Sequence, residues 1–205
     1  MSDELVGPLA LYLQDFATVT ANNLGSNNAS NHAESGASVG HATGHLHAID
    51  GALYRQVLGH FLTGVTVISA IDPDSDEPVG MAASSFTSVS MDPAFVLFCA
   101  ATSSSTWPRI QAAGAYCVNV LASDQERVSR QFSSKGDKYA NVSWHVGASG
   151  SPVFDDALAW IDCKIHAIHE AGDHVIVVGA VVGLGSSDAE GPLAYYRGGY
   201  GAFSR

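Results

Sequence analysis

The residues most able to form a binding site lie in one stretch of small and hydroxyl-bearing side chains, residues 80–93, with the sequence GMAASSFTSVSMDP. Small residues let a ligand come close to the backbone, and the peptide N–H groups and hydroxyls can form hydrogen bonds with it. A planar ligand with a polar edge, such as an isoalloxazine ring, needs both properties. The same composition also fits an edge strand rich in Ser and Thr, so the stretch alone leaves both interpretations open.

A second candidate is the segment TSSSTWP at residues 102–108, which places hydroxyls and peptide N–H groups at the predicted start of a helix. Free N–H groups and the helix dipole favour an anion such as phosphate at that position, even in an acidic protein. Ordinary helix capping by the same hydroxyls is the alternative interpretation.

Motifs for several other chemistries are missing from the sequence. No strand is followed by G-x-G-x-x-G, and the chain has no G-x-x-x-x-G-K-[ST] and no H-E-x-x-H, so a Rossmann site, a P-loop and a zincin centre are not predicted. His166 and His169 lie in a predicted strand, where their spacing would place the two rings on opposite faces, so no metal site is predicted. The G-x-S-x-G match at residues 36–40 lacks the flanking strand and helix of a nucleophile elbow.

The segments that must position these candidates are mostly predicted strands. Short strands are predicted at residues 65–70, 79–83, 87–90, 95–100 and 116–121. Residues 160–168 and 175–184 flank a turn sequence and predict a long antiparallel hairpin. Side chains alternate between the two faces of a strand, so the first strand of this hairpin is predicted to carry four residues on one face: Ile161, Cys163, Ile165 and Ala167. Hairpin connections favour a mainly β fold, a closed or partly closed antiparallel barrel, over a doubly wound parallel sheet.

Three helices are predicted beside these strands. Asp50 can cap the first helix. Its apolar face consists of Leu53, Val57, Leu58 and Phe61. The second helix begins at residue 105 or 106 and is stopped by Gly114. Ser123 and Glu126 have the spacing of a capping box for the third, which ends near residue 132.

Composition divides the chain into three parts. Residues 20–49 are almost all Asn, Ser, Gly, Ala and His and are predicted to be a flexible low-complexity linker, because they cannot bury enough apolar surface to offset chain entropy. Residues 1–19 have apolar side chains at helical spacing, which fits a short helix that either docks or frays. Residues 50–205 form the predicted folded domain.

Charge and hydropathy narrow the function classes further. The formal net charge is −11, so the average field repels nucleic acids and anionic membranes. The strongest apolar stretch, residues 175–184, is about half as long as a membrane-spanning helix. The acidic start has no basic signal region, and three cysteines in apolar runs predict free thiols rather than a disulfide framework. The expected location is the cytoplasm.

Four segments occur in a characteristic order between about residues 53 and 200. They are LTGVTVIS (residues 62–69), PVGMAASSFTSVSMDP (residues 78–93), YCVNVL (residues 116–121) and GDH (residues 172–174). In combination they resemble the short-chain flavin reductase family, the reductase components of two-component flavin-dependent monooxygenases. The resemblance implies the FMN-binding split barrel, an antiparallel split β-barrel with Greek-key-like connections.

The resemblance also implies which residues contact the cofactors. Flavin contacts are expected from Pro78, Val79, Gly80, Met81, Ala82, Ser84, Ser85, Cys99, Ala100, Ala101, Gln131 and Phe132. Ser105 and Thr106 are expected at the flavin phosphate, and His174 is expected to orient the nicotinamide. Contacts with the nicotinamide nucleotide are expected from Tyr196, Arg197 and Gly198. Family members often carry a basic residue near the phosphate, where this chain has Ser104 and Ser105.

The implied activity is NAD(P)H-dependent reduction of FMN or FAD, with the reduced flavin passing to a separate oxygenase component. A homodimer with flavin near its interface is implied as well. Two alternatives remain open: a flavin-binding module without turnover, and a related reductase that acts on another acceptor, such as a corrinoid. Without the resemblance, His174 would be interpreted as a turn residue beside Asp173, and Arg197 as part of a surface ion pair.

Overall fold

The computed structural model describes residues 49–189 and 191–203. The helix predicted within residues 1–19 and the predicted linker up to residue 48 lie outside the described residues. In the described part of the chain, no helix is long and apolar enough to cross a membrane.

The described residues form short helices and mostly antiparallel strands. The helices are α1 (Gly51–Leu58), α2 (Trp107–Ala113) and α3 (Glu126–Phe132). The strands are β1 (Thr63–Gly64), β2 (Thr66–Ile71), β3 (Pro78–Ala83), β4 (Thr87–Met91), β5 (Ala94–Ala101), β6 (Ala115–Val120), β7 (Trp144–Val146), β8 (Pro152–Phe154), β9 (Ala159–Ala171), β10 (His174–Ser186), β11 (Leu193–Tyr196) and β12 (Gly199–Ala202).

The main sheet has seven strands in the order β3-β2-β6-β9-β10-β5-β4, and its neighbouring strands are antiparallel. Side chains from across this sheet meet in one buried cluster. They include Ile68 of β2, Met81 of β3, Phe98 of β5, Tyr116 of β6 and Val177 of β10. Because strands far apart in the sheet order share one core, the sheet must curl into a barrel. The predicted mainly β, antiparallel barrel is therefore confirmed.

A second apolar cluster attaches the smaller sheets to the barrel. The three-stranded sheet β1-β11-β12 contributes Leu193, and the two-stranded sheet β7-β8 contributes Phe154. Phe132 at the end of α3 joins them, with its ring centroid 5.3 Å from that of Phe154. The end of α3 and the small sheets are thus fixed against one side of β3 through Ala82.

The predicted alternation along β9 fails at a bulge. Ile165 pairs with Gly179 and Ala167 pairs with Val178, so His166 is the extra residue. Paired residues lie on the same face of the sheet, whereas the adjacent residues Val178 and Gly179 lie on opposite faces. Ala167 and Ile165 therefore lie on opposite faces, and the prediction that they share a face is wrong.

The bulge also changes the placement of two histidines. The His166 ring stacks on Phe95, with centroids 4.5 Å apart, and Phe95 pairs with Ala180. His169 pairs with Ile176, which lies an even number of residues from Ala180 and so on the same face. The expectation that His166 and His169 point to opposite faces is therefore wrong.

The helix caps agree only partly with the sequence patterns. The Oδ1 atom of Asp50 accepts hydrogen bonds from the backbone of Ala52 and Leu53 at 2.7 and 3.0 Å, as predicted for α1. At α3 the predicted capping box is wrong, because Glu126 forms an ion pair with Arg130 at 2.6 Å instead of bonding back to the backbone at Ser123.

The predicted apolar face of α1 lies at the surface of the single chain. Leu53, Val57 and Phe61 are 55%, 56% and 75% exposed, and no residue of α1 is buried. Periodicity identified the helix and its apolar side, but it could not tell which surface covers that side.

Candidate active site

A cavity of about 440 Å³ lies beside the beginning of β3. It is lined by Glu77, Pro78, Val79, Gly80, Ser105, Thr106, Arg109, Ser134, Lys135, Gly136, Asp137, Lys138 and Tyr139. Since β3 is an outer strand of the seven-stranded sheet, one edge of its backbone has no neighbouring strand in that sheet. Backbone N–H and C=O groups at such an edge can bond to a ligand or to side chains of a loop.

Gly80 lets the backbone of β3 pass close to the core. A Cβ atom at this position would lie 2.7 Å from Cε1 of Phe132 and 3.0 Å from the carbonyl oxygen of Ile68. Phe132, a predicted flavin contact, is 1% exposed and lies behind Gly80 rather than in the cavity. The side chains of Met81 and Ala82 are buried as well. Of the predicted residues on β3, the cavity is lined by Pro78, Val79 and Gly80.

The loop that follows α3, residues 133–140, forms the opposite wall; we call it the α3 loop. Gln131 organises it, because its Nε2 atom donates to the carbonyl oxygens of Lys138 and Ala140 at 2.8 and 2.9 Å. Tyr139 ties the loop to β3 through a hydrogen bond from its hydroxyl to the Val79 carbonyl at 2.8 Å. Gln131 was expected to contact flavin; the structure places its amide behind the loop, outside the cavity lining.

Three basic side chains line the cavity, and the sequence analysis did not select them: Arg109, Lys135 and Lys138. Burial lowers the pKa of Lys138, and the nearby charge of Arg109 lowers it further. Arg109 in turn forms an ion pair with Asp72 at 2.7 Å, and this hydrogen-bonded partner lowers the pKa of the Asp72 carboxyl. The repeated lysines in KGDK, residues 135–138, were the available sequence signal.

A second group of predicted residues meets where β5 ends beside β10. The Ser85 hydroxyl accepts a hydrogen bond from the Cys99 N–H at 2.9 Å, and its 3.1 Å distance to the Cys99 carbonyl allows it to donate there. Ala101 pairs directly with His174. The structure thus brings Ser85, Cys99, Ala101 and His174 to one end of the barrel.

His174 is held in a fixed environment at this end. Its Nδ1 atom lies 2.8 Å from Oδ1 of Asp173, and its side chain is 11% exposed. The Asp173 carbonyl accepts hydrogen bonds from the backbone N–H and hydroxyl of Thr102 at 2.9 and 3.0 Å. The turn that carries His174 is therefore fastened to the end of β5.

The segment before α2 connects the two groups. Ser104 caps the helix, since its hydroxyl accepts hydrogen bonds from the N–H groups of Thr106 and Trp107 at 3.2 Å each. The N-cap residue of α2 is Thr106, whose side chain makes no capping hydrogen bond, so a hydroxyl of this segment does bind the helix start, but it is that of Ser104, two residues earlier. Ser105 and Thr106 line the cavity. Ser105, in the cavity wall, is therefore close in sequence to Thr102, which binds the turn that carries His174.

The predicted nicotinamide contacts near the C-terminus lie elsewhere in the chain. Tyr196 is the last residue of β11, and Arg197 and Gly198 form the turn to β12. The Arg197 N–H donates to the Gly59 carbonyl at 3.0 Å. The Tyr196 ring makes an edge contact with His60, with centroids 6.4 Å apart. This turn docks at the end of α1 and does not line the cavity, so its role stays a prediction.

The curled antiparallel sheet, with a cavity at its outer strand β3, defines a split-barrel protein. Residues 58–204 match the family model described as "Flavin reductase like domain". The chain belongs to this family.

Relatives with sequence similarity include reductases from several bacteria. A flavin reductase of Pseudomonas putida is 46% identical over 158 residues, which cover 77% of this chain and 92% of that protein. The reductase subunit HsaB of a flavin-dependent monooxygenase from Mycobacterium tuberculosis is 44% identical and covers 74% and 82% of the two chains. An FMN reductase (NADH), SmoA, from Agrobacterium fabrum is 40% identical, covering 74% and 86%.

Solved structures have the same fold. Component B of a nitrilotriacetate monooxygenase homologue from Mycobacterium thermoresistibile has a TM-score of 0.72 and 42% identity, covering 75% of this chain and 86% of that one. The NADH:FAD oxidoreductase SgcE6 of Streptomyces globisporus, in complex with NAD and FAD fragments, has a TM-score of 0.71 and 36% identity, covering 76% and 93%. The flavin reductase split-barrel fold expected from the sequence is confirmed.

Proposed function

We propose that this chain is an NAD(P)H-dependent flavin reductase that supplies reduced FMN or FAD to a separate monooxygenase. The observation that carries this proposal is the cavity of about 440 Å³ against the outer edge of β3, in a chain of the flavin reductase family. Relatives named as an FMN reductase (NADH) and an NADH:FAD oxidoreductase support flavin and NAD(H) as the two reactants.

The residues around the cavity fit a flavin nucleotide. The outer edge of β3, which has no neighbouring strand in its sheet, would offer peptide N–H groups to the polar edge of a planar ring, while the carbonyls of Val79 and Gly80 are already bound by Tyr139 and Lys138. Hydroxyls of Ser105 and Thr106 and three basic side chains offer donors to a phosphate. The side chains of Met81, Ala82 and Phe132 are buried, so these residues would contribute through backbone atoms or by supporting the strand.

Little acid–base chemistry is required of the protein. A bound flavin supplies the hydride acceptor, so this chain has to bind the two reactants and hold their rings in contact. Backbone N–H groups in the segment of residues 80–85 are proposed to stabilise the negative charge that develops on the ring. His174, oriented by Asp173, is proposed to position the nicotinamide by hydrogen bonding rather than to transfer a proton.

A homodimer is proposed as the working unit. The exposed apolar side chains of α1 support it, as does Met91 on the outer strand β4, which is 94% exposed. Surfaces of this kind are characteristic of subunit interfaces. We expect a dimer in analytical ultracentrifugation and a shift towards monomer when Val57 and Phe61 are both replaced by Glu; a wild-type monomer would contradict the proposal.

The location and partners follow from the proposed reaction. A reductase that consumes NAD(P)H needs the reduced pool of the cytoplasm, where the thiols of Cys99, Cys117 and Cys163, which form no disulfide among the described residues, would also remain reduced. The partner is an oxygenase component that takes up the reduced flavin. Neither nucleic acid nor a membrane is proposed as a partner, because the net charge of −11 opposes binding to anionic surfaces.

The activity is tested by mixing purified protein with FMN or FAD and NADH or NADPH without oxygen and following the loss of flavin absorbance. Rapid catalytic bleaching is the expected result, and the four reactant combinations rank the preferred pair. Tight flavin binding without reduction would support a carrier instead. Turnover only with a different acceptor, such as a corrinoid, would support the related reductase.

A further inference from the structure

The α3 loop is held together by a single side chain. The Nε2 atom of Gln131 donates to the carbonyl oxygens of Lys138 and Ala140 at 2.8 and 2.9 Å, and more weakly to that of Asp137 at 3.3 Å. Gln131 lies in the last turn of α3, so its amide joins the far end of the loop to the helix from which the loop begins.

The neighbours of the Gln131 amide fix its orientation. Nη1 of Arg127 donates to Oε1 of Gln131 at 2.8 Å, and a guanidinium has only donors. The loop carbonyls on the other side of the amide are only acceptors. The side chain at residue 131 therefore has to accept on one side and donate on the other, which a glutamine amide does and a carboxylate does not.

The shape of the α3 loop decides where its two contacts with β3 fall. The carbonyl of Lys138 is bound by Gln131, while its Nζ atom donates to the Gly80 carbonyl at 3.0 Å. The adjacent Tyr139 hydroxyl donates to the Val79 carbonyl at 2.8 Å, and burial raises the pKa of this phenol, which keeps its donor proton. These two hydrogen bonds join the cavity wall formed by the loop to the wall formed by β3.

We propose that Gln131 is a positioning residue for flavin binding; this inference rests on the proposed function. Gln131 does not line the cavity, whereas the loop that it holds contributes residues 134–139 to the lining. It acts through the α3 loop, by keeping Lys138 and Tyr139 in contact with the edge of β3 that is proposed to bind the flavin ring. This role differs from the direct flavin contact that the sequence resemblance implies for Gln131.

The test uses two substitutions that separate a hydrogen-bond donor from packing. Gln131→Glu keeps the shape of the side chain and the acceptor for Arg127 but turns an oxygen towards the loop carbonyls, whereas Gln131→Met keeps the length and has neither group. Dissociation constants of oxidised FMN and riboflavin are measured by quenching of flavin fluorescence. We expect Gln131→Glu to raise both constants about tenfold and Gln131→Met about threefold, because the carboxylate opposes the carbonyls.

Gln111→Glu is the matched control, because Gln111 is exposed on α2 and does not line the cavity. It adds the same charge and should leave both constants within about twofold of the wild type. Riboflavin has no phosphate, so weaker riboflavin binding cannot come from repulsion between the introduced carboxylate and a phosphate. A larger loss in Gln131→Met than in Gln131→Glu would assign a packing role and overturn the inference, as would unchanged affinity in both variants.

Tyr139→Phe shows whether the effect passes through the loop. It removes the hydrogen bond to Val79, and we expect about a threefold loss of affinity for either flavin. When it is combined with Gln131→Glu, the loss should stay near tenfold, because both changes break the same connection. Losses that multiply to about thirtyfold would mean that Gln131 acts independently of the loop, as in a direct flavin contact, and would overturn the inference.

Thermal unfolding of each variant checks that it is folded. If Gln131→Glu does not fold, the same comparison is made with Gln131→Met, where a loss near threefold in the double variant supports the inference and a loss near ninefold overturns it. A wild-type protein that neither binds nor reduces flavin would overturn the proposed function itself.

Discussion

The imidazole of His174 is oriented by the side chain of its neighbour, Asp173, across a distance of 2.8 Å between Nδ1 and Oδ1. A carboxylate at this position favours the tautomer with the proton on Nδ1. The carbonyl of Asp173 is in turn bound by Thr102, so the pair is fixed relative to the end of β5. A ring that is fixed in this way fits the positioning role that we propose for His174.

Replacing His174 by Ala is expected to raise the KM for NADH by about tenfold while changing the dissociation constant of flavin by less than about twofold, because it would remove the hydrogen bond that we propose between His174 and the nicotinamide nucleotide. Steady-state kinetics and flavin titration measure the two quantities separately. Asp173→Asn is the partner variant and should raise the KM by a smaller factor, since the ring remains present but is less well oriented. An equal loss of NADH and flavin binding would contradict this division of roles.

Gly179 is required by the hydroxyl of Tyr116. An added Cβ atom at residue 179 would overlap the hydroxyl oxygen, and the fully buried Tyr116 ring packs edge-on against Phe98 with centroids 5.0 Å apart. Gly179→Ala is therefore expected to lower the free energy of unfolding by about 1–3 kcal/mol. Urea denaturation measures this change, and Gly201→Ala in β12, where no atom of the described residues lies within 4 Å of the added Cβ, is the control.

The same hydroxyl gives an independent check on this explanation. In the described part of the chain, the buried oxygen of Tyr116 has no hydrogen-bond partner of good geometry. Tyr116→Phe should thus be neutral or stabilising by up to about 1 kcal/mol, and it should reduce the cost of Gly179→Ala in the double variant. If the changes in unfolding free energy of the two single variants simply add in the double variant, overlap with the Tyr116 hydroxyl is not the cause of the destabilisation by Gly179→Ala.

Gly80→Ala is expected to affect both stability and ligand binding. The new Cβ would lie 2.7 Å from a ring that cannot move freely, because Phe132 is packed between Tyr139 and Phe154. Displacing β3 to relieve this contact would shift the wall of the cavity, so we expect flavin affinity to fall by about tenfold and stability by about 1–3 kcal/mol. Adding Phe132→Leu should restore part of the affinity; no restoration would mean that the contact does not transmit the effect.

Much of the barrel was predictable because each strand has a local signal. The predicted runs at residues 65–70, 79–83 and 95–100 agree to within one residue with β2, β3 and β5. The bulge at His166 was not predictable, since it depends on the register with β10 and leaves no mark in the apolar pattern. One extra residue was enough to reverse the faces assigned to Ala167 and His169.

The site was predictable only in part. Small residues on β3 and hydroxyls before α2 indicated where a ligand could approach, and in the structure Pro78–Gly80, Ser105 and Thr106 line a cavity; their contacts with flavin stay a prediction. Arg109 and Lys138 were not predicted, because they reach the same cavity only when two distant segments of the chain meet, which charge counts along the chain do not reveal. The sequence also did not show which of the adjacent hydroxyls binds the start of α2. In the structure it is that of Ser104, because the backbone conformation brings this hydroxyl to the first N–H groups of the helix.

The ion pair between Asp72 and Arg109 predicts a specific pH dependence of stability. Hydrogen bonding to Arg109 lowers the pKa of Asp72 from its ordinary value of 3.8, so the stabilisation is complete above that value and is lost as the pH falls through the lower pKa of the folded state. Asp72→Asn should therefore be less stable than the wild type at neutral pH, with the difference shrinking below about pH 4. Urea titrations at several pH values measure this, and an unchanged difference at low pH would contradict it.

Removal of residues 1–47 is expected to leave flavin reduction largely unchanged. The lining of the cavity comes from residues 77–139, and the composition of residues 20–49 is that of a linker, which cannot supply packed surface to the site. The truncated chain should keep kcat/KM for flavin and NADH within about twofold of the full chain, in parallel assays with thermal unfolding as the control for folding. If activity disappears while the melting temperature is retained, the apolar side chains of residues 9–16 must complete either the site or the surface left exposed on α1 at Leu53, Val57 and Phe61.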